Sequence, residues 1–180
     1  MLSVEKFYEA VRLEGLNSGL PCTFVRLGSG RDYPKVEELV YDILQIANTK
    51  WVVVLGSDTT QVGMGSIAKG LWKVGFNTEF ELHGSRRDPG WLHSVTRWTV
   101  DFVKQANFNY SSLRSSDSIR FLVKTESDLE DIATIIKKAD TLAAASYIKF
   151  EPEGLNKKET GLLAKKCVDT IKRYERVRMY

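Results

Sequence analysis

The run WVVVL, Trp51–Leu55, is continuously apolar, rich in β-branched residues and too short for a helix. Such a run reads as a strand buried on both faces, which is the habit of the central strands of a parallel sheet. On either side the chain alternates short strand-like runs with helical patterns, the signature of β/α units. Upstream, CTFVRL (Cys22–Leu27) is a strand, and PKVEELVYDILQIAN sets Val36, Leu39, Val40, Ile43, Leu44 and Ala47 on one helical stripe, with Pro34 in its first turn. Downstream, Ile67, Leu71 and Val74 predict a helix that Gly63, Gly65 and Gly70 weaken.

The same reading gives strands at Phe76–Leu82, Ser118–Lys124 and Ser146–Phe150. The segment WLHSVTRWTVDFVKQA carries both periods, and we read it as a helical turn followed by the strand WTVDFV. Ser127 with Glu130 predicts a capping box for a helix burying Leu129, Ile132, Ala133 and Ile136. Asn156 with Glu159 predicts the start of a last helix that buries Leu163, Cys167, Val168, Ile171 and Tyr174 and turns its lysines outward to solvent.

With 180 residues, 43% of them hydrophobic, the chain is expected to fold as one domain over residues 1–180. No apolar run approaches the length of a membrane span, and charge interrupts the first residues too early for a signal peptide, so the expected address is the cytoplasm. A net charge of +3, with both signs mixed along the chain, suits anionic ligands without demanding nucleic acid. The two cysteines, Cys22 and Cys167, have neither a disulfide nor a metal-binding spacing, and His83 and His93 make no metal site.

Ligands of β/α sheets bind beyond the carboxyl ends of the strands, so chemistry is sought after Leu27, Leu55, Leu82, Lys124 and Phe150. Arg26 stands at the first of these ends and Gly56-Ser57-Asp58 at the second. Glu81, His83, Arg86 and Arg87 surround the third, and Glu151 follows the last. Arg86 and Arg87 are the anion-binding candidates; as plain surface they would simply be solvated. Gly56-Ser57-Asp58 would equally serve as a turn capping the next helix. No serine, cysteine or histidine arrangement supports a catalytic triad.

Taken in order, the motifs resemble 7-carboxy-7-deazaguanine synthase, a radical S-adenosylmethionine enzyme. In FYEAVRLEGLNSGLPCTFVRLGSG, the residues Phe7, Glu14, Gly15, Gly19, Pro21, Phe24, Val25, Arg26 and Leu27 fit that family's opening, which reads F, QGEG, G-x-P and FVRL. VVVLGSDTTQ is similar to its TGGEP-x-x-Q turn, with Gly56 and Gln61 kept, and FELHGS to its ETNGT, with Glu81 and Gly84 kept. SDSIRFLVK and YIKFEP resemble its later strands. The resemblance implies a compact partial (β/α) barrel of about six mostly parallel strands with three to four helices, and a homodimer.

The departures bear on function. The family's three-cysteine run, which holds a [4Fe–4S] cluster, should follow FVRL; here Gly30-Arg31-Asp32-Tyr33 leads straight toward the helix. Arg12 and Leu13 replace the Gln and Gly of QGEG, Asp58 shortens the carboxylate of GGEP, and His83 replaces an Asn. The chain also ends at Tyr180, where the family usually continues.

The resemblance therefore implies a catalytically inactive homologue, without a cluster and leaving room only for cluster-free S-adenosylmethionine binding. Such a protein would be retained to bind a small polar heterocycle through Glu14, Arg26, Gly56, Ser57, Asp58, Glu81 and His83, or to bind a protein partner. The alternative is an enzyme of the deazapurine (queuosine-type) pathway using Glu14, Asp58 and Glu81 in cluster-independent chemistry.

Overall fold

The computed structural model describes residues 2–56, 63–84, 95–104, 108–138, 145–172 and 177–179. Among them, eight strands form one sheet whose spatial order follows the chain. They are β1 (Leu2–Val11), β2 (Pro21–Tyr33), β3 (Trp51–Gly56), β4 (Asn77–His83), β5 (Arg97–Asp101), β6 (Ser118–Val123), β7 (Ala145–Phe150) and β8 (Val177–Met179). β1 runs antiparallel to β2 and every later pair is parallel. The sheet is open, with β1 and β8 at its edges. Helices α1 (Val36–Ile46), α2 (Met64–Lys73), α3 (Glu126–Lys138) and α4 (Lys157–Lys172) join successive parallel strands.

The WVVVL run behaves as its composition dictates. Val52 and Val54 enter the main core under the helices, while Val53 packs on the opposite face with Cys22, Phe24, Tyr8, Trp51 and Leu55. β4 and β5 instead divide their faces by alternation. Phe80, Leu82, Trp98 and Val100 point into the helix-side core, which leaves the intervening polar residues for the other face. The expected strands are all present, WTVDFV as a shorter β5 that starts at Arg97 and stops before Phe102 and Val103; Trp91–Ser94, where a helical turn was expected, lie outside the described residues.

Two strands exceed the expected six. β1 does not read as period two because a bulge near Val4 shifts its phase, so that Leu2, Val4 and Phe7 all meet the helix-side core. β8 is three residues long. The larger correction concerns β2. It does not stop at Leu27 but continues through GSGRDY, with Arg31, Asp32 and Tyr33 pairing with Val4, Ser3 and Leu2. The residues expected to lead directly into α1 are thus the far end of a long hairpin. Gly30 is required there, since a Cβ at this position would lie 2.1 Å from the Val4 carbonyl oxygen.

Local signals at the helix ends need smaller adjustments. Pro34 precedes the N-cap Lys35 and lies outside the first turn. On α1 only Leu39, Val40 and Ile43 are buried, and Leu44 faces solvent, as do Val74 after α2 and Val168 on α4. α3 is capped by Thr125 and Asp128, whose carboxylate accepts from the Thr125 amide at 2.8 Å, two residues ahead of the expected Ser127–Glu130 box. The Asn156–Glu159 box is as expected: Glu159 accepts from the Asn156 amide at 2.9 Å, and Asn156 accepts from the Glu159 amide at 3.1 Å. Leu163 and Cys167 of α4 are buried, while the side chain of Ile171 and all of Tyr174 lie outside what is described.

Candidate functional site: the charged face of the sheet

The face of the sheet opposite the helices has two halves. Its β1–β3 half is apolar, with Tyr8 stacked on Phe24 at 5.0 Å and nearly parallel. Its β4–β7 half carries Glu79, Glu81, Arg97, Thr99, Asp101, Arg120, Tyr147 and Lys149 at alternate strand positions. At the boundary the Arg97 guanidinium lies 5.0 Å from the Trp51 ring centroid.

The loop between β1 and β2 folds onto this charged half. Its neck is closed by hydrogen bonds from the Arg12 amide to the Leu20 carbonyl and from the Gly19 amide to the Arg12 carbonyl, each 2.8 Å. Gly15 and Gly19 take positive φ of 76° and 88°, which explains why the loop uses glycine at both places. A Cβ on Gly15 would also stand 3.4 Å from the Tyr147 ring.

This loop delivers Arg12, only 4% exposed, between two carboxylates. Its guanidinium donates to Glu79 at 2.9 Å and to Glu81 at 2.6 Å. Glu79 is completed by Asn17 and Thr99, each donating at 2.7 Å. Asn17 in turn accepts from Arg97. Arg120 gathers the rest: Glu14 at 2.9 Å, Glu81 at 3.1 Å and Asp101 at 2.5 Å. Lys149 lies 3.8 Å from Glu14 and 2.9 Å from Glu151.

Charges removed from water are tolerated only when paired and hydrogen-bonded. The network meets that condition for its carboxylates. Burial works against ionised Glu81, yet Arg120 and Arg12 outweigh it and hold the group below the usual carboxylate range. Burial likewise opposes the charge on Arg12 and on Arg120, and the adjoining carboxylates overcome it and raise both. Tyr147 is pushed well above the ordinary phenol range, first by burial and then by Glu14 and Glu81. The Nε of Arg12 has no hydrogen-bond partner among the described residues.

Of the residues singled out from sequence, Glu14 and Glu81 are brought together, both gripped by Arg120. Arg26 is half-exposed and engaged with Glu5 at 3.0 Å. Gly56 ends β3 with φ 133°, and a Cβ there would lie 2.4 Å from the Leu27 carbonyl oxygen, so its role is to let β3 lie close beside β2. His83 is exposed at the end of β4, in register with Asp101. Ser57, Asp58, Arg86, Arg87 and His93 lie outside the described residues. The sequence reading missed Glu79, Arg97, Asp101, Arg120, Tyr147 and Lys149, and it took Arg12 for a lost motif residue. Their signal was present as the polar phase of four alternating strands.

A [4Fe–4S] cluster is held by neighbouring thiolates, and the donor set does not fit one. Residues 28–33, which follow Leu27, are strand without cysteine. The two thiols of the chain are fully buried in different cores. Burial, helped by Glu79, raises Cys22, and burial pushes Cys167 up to about 11, both away from the thiolate form. Among the described residues no group of three His, Cys, Asp or Glu side chains is arranged to hold a metal ion.

No family model and no curated relative matches the chain. Among solved structures it is similar to QueE from Escherichia coli, with a TM-score of 0.73 over 99% of this chain and 93% of that one, at 15% sequence identity. The shared feature is the fold.

Proposed function

We propose that the protein is a catalytically inactive relative of 7-carboxy-7-deazaguanine synthase that acts by binding, and by binding a macromolecular partner in preference to a small molecule. The fold it shares with QueE supports descent from that scaffold. The observation that carries the reading is the position of Arg12. The side chain that replaces the family's glutamine lies between Glu79 and Glu81 and neutralises the acidic part of the face.

Magnitudes favour this over a heterocycle site. Separating a buried ion pair costs roughly 3–5 kcal/mol, so a ligand that must displace Arg12 loses about two to four orders of magnitude in affinity. An intrinsically micromolar ligand would then bind at about 0.1 mM or weaker. Cluster-independent catalysis is disfavoured by the same contacts. A general acid–base group works best with a pKa near the operating pH, whereas Glu81 is shifted the opposite way. The small-molecule reading keeps one point in its favour, the stacked Tyr8–Phe24 pair, against which a flat heterocycle could lie.

Residence in the cytoplasm and assembly as a homodimer belong to the proposal. No described helix is long and apolar enough to cross a membrane. The test is anaerobic purification with iron and sulfide analysis, followed by titration with S-adenosylmethionine and a pterin for the native chain and for Arg12→Gln. Absence of stoichiometric iron, no cosubstrate cleavage and ligand binding no tighter than about 0.1 mM are expected. Stoichiometric iron with cleavage would overturn inactivity. Micromolar pterin binding by the native chain would replace the partner reading with the ligand reading.

A further inference from the structure

On the opposite side of the molecule, α1 and α2 leave a solvent-open groove of about 740 Å³ between them. One wall is the α1 stripe of Val36, Val40, Tyr41 and Leu44, in which Val40 lies a turn beyond Val36 and Leu44 a turn beyond Val40 and Tyr41. Tyr41 is 61% and Leu44 41% exposed. The other wall is the α2 stripe of Ser66, Lys69, Gly70 and Lys73. At Gly70 a Cβ would lie 2.9 Å from Val40 Cγ2, so glycine there lets the two helices approach at the floor of the groove.

The charge on this groove is one-sided. Lys35, Lys69 and Lys73 line it against the single carboxylate of Glu37. Four lysines elsewhere on the described surface meet acids, in Lys104–Asp131, Lys124–Glu153, Lys149–Glu151 and Lys166–Glu126. Among the described residues none of the three groove lysines has a carboxylate within ion-pair distance. Lys69 and Lys73 moreover stand four residues apart on one helix, an arrangement that disfavours the helix unless an outside acid relieves it.

We infer that the α1–α2 groove is a docking site for an acidic amphipathic helix of another protein. Its apolar residues, spaced three and four apart, would cover Val40, Tyr41 and Leu44, and its flanking Asp or Glu side chains would meet Lys35, Lys69 and Lys73. Complementary charge would set orientation and association rate, while the apolar stripe would supply the burial. The inference rests on the partner-binding proposal above and names the partner's class. Its test is independent of the iron assay, because peptide binding is read whether or not a sample carries metal.

The probe is a fluorescein-labelled helical peptide of about four turns with leucines on one stripe and glutamates beside it, read by anisotropy against the full chain. A lysine-for-glutamate version and a scrambled version serve as controls. The acidic peptide is expected to bind, to weaken as salt rises, and to lose about tenfold or more in affinity in Lys69→Glu/Lys73→Glu and in Tyr41→Ser/Leu44→Ser. All four substitutions are at exposed positions, and circular dichroism checks that each variant stays folded.

No saturable binding of the acidic peptide, equal binding of the lysine version, or unchanged affinity in both variants would overturn the inference. Sedimentation supplies the remaining arm. A dimer that Leu44→Ser dissociates would assign the groove to a second copy of the chain and overturn it as well.

Discussion

Arg12 shows how one side chain organises a whole face. A neutral amide at this position could share hydrogen bonds with a guest; a guanidinium binds both neighbouring carboxylates itself. Arg12→Gln is expected to lower stability by about 3 kcal/mol, at the low end for a broken buried pair, because Glu79 keeps Asn17 and Thr99 and Glu81 keeps Arg120. Urea titration measures it as a lower midpoint at unchanged slope.

The pH dependence follows from the sign of the Glu81 shift. A carboxylate whose folded pKa lies below its unfolded value contributes stability above the unfolded value, about pH 4, and loses it as pH falls through the folded one. The acid limb of the native stability curve should therefore flatten in Glu81→Gln. An unchanged limb would show that Glu81 carries none of it.

Secondary structure was legible wherever local chemistry and burial agree. β3 could be read because it is apolar on both faces, and α4 because Asn156 and Glu159 supply both halves of its cap. The extension of β2 was hidden because Gly28, Ser29 and Gly30 carry loop chemistry, and only the bulged partner strand makes glycine necessary there. The charged face was hidden for a different reason. Along β4 to β7 its residues occupy the positions that a half-exposed strand gives to solvent, and nothing local tells that a loop from far upstream will cover them.

The hairpin gives a direct check at this scale. Gly30→Ala should force the Val4 carbonyl away and open the end that joins Leu2–Val4 to Arg31–Tyr33. A cost of about 1–3 kcal/mol is expected, together with faster amide exchange at Arg31–Tyr33. Exchange unchanged from the native chain would show that the strand end tolerates a side chain.

Seen whole, the molecule keeps two surfaces apart: a face whose charges are satisfied internally, and a pair of helices whose lysines are not. That separation is what makes the proposals independently testable. The fold class followed from β/α alternation, and the eightfold strand order with a single antiparallel member completes it.

Because the sheet never closes, β1 presents its outer main-chain groups with no ninth strand among the described residues to receive them. A ten-residue border of this kind invites neighbouring molecules to stack ribbon upon ribbon. Glu5, Lys6 and Glu9 along it, together with the bulge at Val4, act as a picket against such growth. Replacing Glu5 and Lys6 by threonine should leave the chain folded yet turn concentrated solutions toward thioflavin-positive fibrils, measured by light scattering over days. Clear solutions would mean that the bulge alone suffices as a guard.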